Sequence, residues 1–326
     1  MSEHLKLTFA AGSYDFVQPL IDGTVKADGI DLTILTAMGS GERHWRMGHR
    51  QEFDLCELNI AAYLAARDAG RPLAALPVFL HRRFRHGFLF VNPAAGITEP
   101  RQLVGKRIGG PTFTAAGNVW MRGILEDRHD LPHREVTWAV EREDAVLHDR
   151  QDGARIERLP PGQKAEDLLL DGRLDAVLHP DLPSAYLRGD PRIVRLFEDS
   201  KAYEMSYFRE TGIFPIMHVT AIRQEIVEQY PWVVLNLRKA FDAAKQIAYQ
   251  RIKNPRNVAL AWVRDGLEEQ MKILGTDPWE YGLTVKNRHT LETIRGYAFR
   301  QGIIRRELPL DELFVDDTMI DIPEGI

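Results

Sequence analysis

FDLCELNIAAYLAARDAG, residues 53–70, runs from a short apolar strand, FDLCEL, directly into an alanine-rich helix that Gly70 closes. A strand that feeds a helix at once is the unit of an open, largely parallel sheet, because a parallel neighbour requires a crossover. The pattern repeats on both sides of it. Toward the amino terminus, LKLTFAA (5–11) alternates and then runs apolar into Gly12 and the turn Gly-Ser-Tyr-Asp. A second strand, IDLTIL (30–35), follows the polar turn KADG, and a helix is expected near 41–50. Toward the carboxyl terminus, LAALPVFL (73–80) and FLFVN (88–92) are strands flanking the basic cluster of HRRFRH (81–86).

Farther on, IGGPTFTAAGNVWMRGILED (108–127) reads as strand, Gly/Thr-rich loop and helix, and EVTWAV (135–140), LDAVLHP (174–180) and VRLFED (194–199) as strands. Residues 141–164 are polar and broken by Gly and Pro, which predicts a surface excursion. TGIFPIMHVTAIR (211–223) reads as a strand passing through a proline. Two long amphipathic helices are expected within 227–252 and 287–303. The sequence holds no internal repeat and no low-complexity segment.

At 326 residues the chain exceeds what one hydrophobic core usually organises, so two lobes are expected. Lys and Arg number 42 against 47 Asp and Glu, and the net charge of −5 argues against nucleic acid as a partner. The charge of HRRFRH therefore has a local use. A single cysteine, Cys56, excludes an intramolecular disulfide and any multi-cysteine metal motif, and its apolar setting predicts a small buried residue. The amino terminus, MSEHLKLTFAAGSYDF, lacks the apolar stretch of about 7–15 residues of a secretory signal. Nothing later approaches the roughly 18 apolar residues of a membrane span. A soluble, cytoplasmic protein with no membrane partner is expected, and Met1 argues against a leader having been removed.

In order, these pieces resemble a type II periplasmic-binding-protein fold. That resemblance implies an α/β protein with open, mixed, mostly parallel sheets and a ligand cleft between its lobes. It divides the chain into a discontinuous lobe of 1–95 plus 212–326 and an inserted lobe of 96–211. Four stretches are more specifically similar to the 4,5-dihydroxyphthalate decarboxylase family: GSYDFVQPLIDGTVKADGIDL (12–32), WRMGHRQEFDLCEL (45–58), PVFLHRRFRHGFLFVN (77–92) and TGIFPIMH (211–218). The phrase PRQLVGKRIGG is widespread among binding proteins and less specific. One departure is Asn59, which stands where the family leads one to expect a serine.

The resemblance implies removal of one carboxylate from a catechol-like aromatic diacid, as in conversion of 4,5-dihydroxyphthalate to a dihydroxybenzoate and carbon dioxide. Direct loss of carbon dioxide would leave an aryl carbanion, so the ring must be protonated first at the carbon that bears the carboxylate. Such an enzyme needs cationic anchors, a base near the phenol and an acid near that carbon. Arg82, Arg83 and Arg85 are the expected anchors, since a guanidinium grips a carboxylate through two parallel hydrogen bonds. In an extended stretch, 83 and 85 share a face and 82 takes the other.

His86 and His218 are the leading proton-transfer candidates. His179 and Glu57 stand at strand ends, where open α/β sheets place their ligands, and Glu57 can serve as base or acid or can pair with an arginine. Ser13, Tyr14 and Asp15 in the first turn, with Thr112, Thr114 and Asn118 in GGPTFTAAGN, supply hydroxyl, amide and backbone donors for an anion. GGPTFTAAG matches neither a P-loop nor a dinucleotide fingerprint.

No cofactor is expected. The alternative is a divalent metal held by a set drawn from His81, His86, His179, His218 and Glu57, although no HxH or HExxH spacing supports it. His129 and His133 are four apart, but Pro132 between them opposes a regular helix. A carboxy-lyase acting on a small aromatic carboxylate is thus weighed against a cytoplasmic solute-binding or sensor protein for a small carboxylate. A lyase or synthase of another kind on the same fold is the third reading. The sequence leaves a homo-oligomer open.

Overall fold

The strand and helix of residues 53–70 are β3 and its successor in the computed structural model, which describes residues 4–146 and 153–315. The strands among these residues are β1 (Leu5–Ala10), β2 (Ile30–Leu35), β3 (Leu55–Asn59), β4 (Leu73–Arg82), β5 (Leu89–Val91), β6 (Arg107–Gly110), β7 (Thr137–Val140), β8 (Arg155–Arg158), β9 (Ala176–Leu178), β10 (Val194–Arg195) and β11 (Ile216–Arg223). They form two sheets, one in the order β2-β1-β3-β11-β4 and one in the order β10-β5-β9-β6-β7-β8. In the first, β1 is parallel to β2 and β3, and β11 runs antiparallel to β3. In the second, β6 is parallel to β7 and β9, β7 is parallel to β8, and β5 is antiparallel to β9 and β10.

The described residues divide into two units, those within 1–82, 218–289 and 308–326 in the first and those within 83–217 and 290–307 in the second. The division expected at 95 and 212 thus falls at 82/83 and 217/218. Residues 83–95 go with the second unit because β5 is hydrogen-bonded between β9 and β10. Residues 290–307 return to that unit through side-chain hydrogen bonds. Arg122 Nε donates to Gln301 Oε1 at 2.7 Å, and Tyr297 OH to Asp127 at 2.8 Å. A side chain on Gly123 would place its Cβ 2.3 Å from the Tyr297 ring, so that position admits only glycine without displacement.

The core of unit 1 lies where the 22-residue helix Trp232–Lys253 covers its sheet, with Phe9 against Phe241 edge to face at 5.6 Å. Each such buried side chain contributes about 1.5–3 kcal/mol. In unit 2, Phe90, Leu159, Leu168, Leu174 and Val177 form the corresponding cluster. Cys56 is buried, as its setting in β3 predicts, and burial pushes its thiol up, out of the range of a reactive thiolate. No helix among the described residues is long and apolar enough to cross a membrane.

Three local expectations change. β11 begins at Ile216, after Pro215 rather than through it, because proline has no N–H to give a sheet. The expected surface excursion contains the edge strand β8, while residues 147–152 of it lie outside the described residues. The strand before the basic cluster ends at Arg82, so the alternation expected for 82–85 stops there.

Candidate functional site

Glu57, His218 and His81 come from three adjacent strands of unit 1, β3, β11 and β4. Register explains the first pair. Thr220 lies opposite Glu57 and His218 opposite Asn59, so cross-strand partners and the period of two put Glu57 and His218 on one face as diagonal neighbours. One nitrogen of each histidine and a carboxylate oxygen of Glu57 all lie within 4.8 Å of one another.

The Glu57 carboxylate is completely shielded from solvent and held by four donors. Oε1 accepts from Tyr14 OH and from His218 Nδ1, each at 2.5 Å. Oε2 accepts from the Gly12 backbone N–H and from Arg43 Nη2, each at 2.7 Å. The Gly12 amide approaches closely because glycine leaves room: a Cβ there would sit 2.7 Å from the Tyr14 ring and 3.2 Å from Oε2. Arg43 arrives from the helix Ser40–Arg50, whose buried positions 43, 44, 47 and 48 form one stripe. Its Nη1 also donates to Met38 O at 3.2 Å.

Burial pushes the Glu57 carboxyl up. The charges of His218 and Arg43 and the bonds from His218 and Tyr14 outweigh burial and hold it well below the ordinary carboxylate range. Glu57 is therefore an anion, and His218 Nδ1 must carry the proton between them. The imidazole is thus fixed in orientation, with Nε2 as the nitrogen on the side away from the carboxylate. Two further imidazoles flank it edge to face, His81 at 4.6 Å and His44 at 4.7 Å between ring centroids.

A buried carboxylate that orients a histidine is an arrangement suited to proton transfer, and the chain's relatives bear the name of decarboxylases. A 4,5-dihydroxyphthalate decarboxylase of Comamonas testosteroni is 33% identical over 319 residues, covering 95% of this chain and 96% of that protein. This chain belongs to the 4,5-dihydroxyphthalate decarboxylase family. A second 4,5-dihydroxyphthalate decarboxylase, from Pseudomonas putida, is 32% identical over 212 residues, covering 63% of this chain and 82% of that protein. No protein-family model matches the chain. Among solved structures, a periplasmic sulfonate-binding protein, SsuA, from Methylobacillus flagellatus KT has 13% identity and a TM-score of 0.53, covering 96% of this chain and 92% of that one. The 4,5-dihydroxyphthalate decarboxylase family member described here thus has the fold of type II periplasmic binding proteins.

Asn59, the position where the family leads one to expect serine, caps the helix Ile60–Asp68, its Oδ1 accepting from Ala61 N at 2.9 Å. Serine is an equally good cap, so the departure is accommodated locally. Ser13 and Asp15 are exposed, and Asp15 accepts from Phe16 N; neither joins Tyr14 at the carboxylate.

The three arginines of the basic cluster have different surroundings. Arg82 is buried in unit 1, where Nη2 donates to Asn287 Oδ1 at 2.6 Å and Glu280 O at 2.9 Å, and burial lowers its pKa to about 10. Arg83 and Arg85 belong to unit 2, stack on Phe88 and both direct Nη1 toward Pro180 O, at 3.5 and 2.8 Å. Arg85 is buried, with Nε donating to Met217 Sδ at 3.3 Å. Arg83 meets the exposed Asp181 at 3.4 Å, a solvated pair worth little to stability.

His86 is buried among Phe197 and Tyr207 in unit 2, and burial, with His129 and Arg128 nearby, lowers its pKa to about 4. It is not part of the Glu57 cluster. His179 is half-buried at the end of β9, with its Nδ1 2.7 Å from Asp181 O. With Gly110, Pro111, Glu141 and Arg142 it lines a shallow pocket at strand carboxyl ends. Thr114 donates through N and Oγ1 to Asp144 Oδ1 at 2.8 and 2.9 Å, and Asn118 Nδ2 to Thr112 O at 3.1 Å, so these loop donors are engaged within unit 2.

Sequence reading thus singled out Glu57, His218 and Tyr14, and it missed Arg43 and His44. The available signal for these was the stripe 43, 44, 47, 48 on an otherwise polar helix.

Proposed function

We propose that this chain is a cofactor-independent carboxy-lyase that removes one carboxylate from a hydroxylated aromatic diacid such as 4,5-dihydroxyphthalate. The reading draws its substrate class from the relatives named above. Its mechanism rests on a single observation, the His218 imidazole fixed through Nδ1 by the fully buried, ionised Glu57.

His218 is the general acid in this reading. A phenol para to the departing carboxylate gives up its proton, and electron density moves to the carbon bearing that carboxylate. That carbon takes a proton from His218 Nε2. The C–C bond then breaks, its electrons restore the aromatic ring, carbon dioxide leaves and the phenol oxygen is reprotonated. The anion of Glu57 stabilises the imidazolium before transfer and keeps the ring aimed, as the buried carboxylate of a catalytic triad does. Glu57 itself is a positioning residue: both oxygens have their donors, and its low pKa leaves it no proton to give.

The same four donors support independence from a metal. Coordination of a cation by Glu57 would require displacing an arginine, a tyrosine hydroxyl, a backbone amide or the histidine. Incubating the protein, pretreated with chelator, with 4,5-dihydroxyphthalate should release carbon dioxide and a dihydroxybenzoate. Absence of turnover before chelation contradicts the reaction; loss of turnover on chelation, restored by a divalent ion, contradicts the cofactor-free chemistry.

A further inference from the structure

Two proton transfers occur in this reaction at opposite ends of the substrate ring, one from the phenol oxygen and one to the carbon that loses carbon dioxide. His218, with Nδ1 committed to Glu57, presents one nitrogen and serves one of the two at a time. The second group must be near it and must be able to accept a proton near neutral pH.

The residues around His218 narrow the choice. Glu57 is saturated and held strongly ionised, Arg43 is permanently cationic and fixed on Glu57, and the Tyr14 hydroxyl donates to the same carboxylate. His44 meets His218 ring edge to face, and the close group of donor atoms is formed by Glu57, His218 and His81 rather than by His44. His81 belongs to that group. It comes from β4, the strand next to β11, its ring centroid is 4.6 Å from that of His218 and 6.1 Å from that of Tyr14, and it is half-buried where Glu57 and His218 are buried.

Building on the decarboxylase reading, we propose that His81 is the second catalytic histidine, the base that takes the phenol proton while His218 protonates the ring. After carbon–carbon cleavage the imidazolium of His81 returns its proton to the phenolate, so the net reaction consumes one solvent proton, through His218, for each carbon dioxide released. Neither histidine changes oxidation state and no further reactant enters.

The test compares two diacids, the parent and an analogue whose electron-withdrawing ring substituent leaves the phenol ionised at the assay pH. On the parent, His81→Gln should lower kcat by about 10²–10⁴-fold, with diacid binding retained. On the pre-ionised analogue, measured against wild type on that same analogue, the deficit of His81→Gln should fall to within about tenfold, whereas that of His218→Gln should persist. His81→Asn, read the same way, guards against a folding defect in one variant. A deficit equal on both substrates, or none on either, overturns the role of His81 and leaves the decarboxylase reading intact. No wild-type turnover on either diacid overturns both.

Discussion

Glu57 shows how burial and charge decide between two roles for a carboxylate at a strand end. Desolvation alone would raise its pKa and make it an acid, but Arg43, Tyr14, the Gly12 amide and His218 reverse the sign. Removing one member of a buried ion pair leaves the other uncompensated, so Glu57→Gln should destabilise the protein by about 3–5 kcal/mol near neutral pH. The pH dependence follows from the depressed pKa. In the unfolded chain a glutamate titrates near ~4.3, so the stabilisation is fully present above that value and is lost as pH falls below it toward the folded value. Urea unfolding at pH 7 and at about pH 3.5 should show the gap between wild type and Glu57→Gln narrowing in acid; a gap of constant size contradicts the charge arrangement. Glu57 and His218 were legible because each ends an apolar run. Arg43 was not, because an arginine in so polar a helix reads as solvated until its place beside Met47 and Gly48 on one stripe is noticed. His81 was legible only as one of five histidine and carboxylate groups able to hold a metal, since its neighbours come from strands distant in sequence.

At the level of elements, β3 and its helix are joined by one residue with two duties. Asn59 pairs with His218 in the sheet and caps the helix Ile60–Asp68, so the cap also fixes where the strand that carries Glu57 ends. Asn59→Ala should cost about 0.5–2 kcal/mol, and Asn59→Ser should stay within a few tenths of wild type. Thermal unfolding distinguishes them, and equal losses in both variants would mean that Asn59 does more than cap. The elements that escaped sequence reading share a cause. β8, Arg155–Arg158, is an edge strand with charged side chains, and edges are protected from further pairing by such charge, which erases the apolar alternation. β11 was legible as a strand, but its start was not, because apolar residues continue through Pro215, which has no N–H for the ladder although its carbonyl accepts from Arg83 N at 3.1 Å.

For the whole molecule, length and the strand–helix alternation announced two α/β units, and the family resemblance supplied their discontinuous order. The return of residues 290–307 to the second unit was not legible. Amphipathicity predicts that this segment buries a face, and contacts such as Arg122 with Gln301 go with residues 290–307 in the second unit. A fold shared with a periplasmic binding protein does not choose between holding a ligand and transforming it. The 33%-identical relative named a 4,5-dihydroxyphthalate decarboxylase makes that choice, and the proposed role of the Glu57–His218 pair gives it a mechanism. The decisive measurement is kcat and Kd for 4,5-dihydroxyphthalate in His218→Gln against wild type. Loss of a general acid predicts a kcat lower by about 10²–10⁴-fold with Kd essentially unchanged. A variant that turns over near the wild-type rate, or one whose whole deficit appears in Kd, would contradict the assignment of His218 as the proton donor.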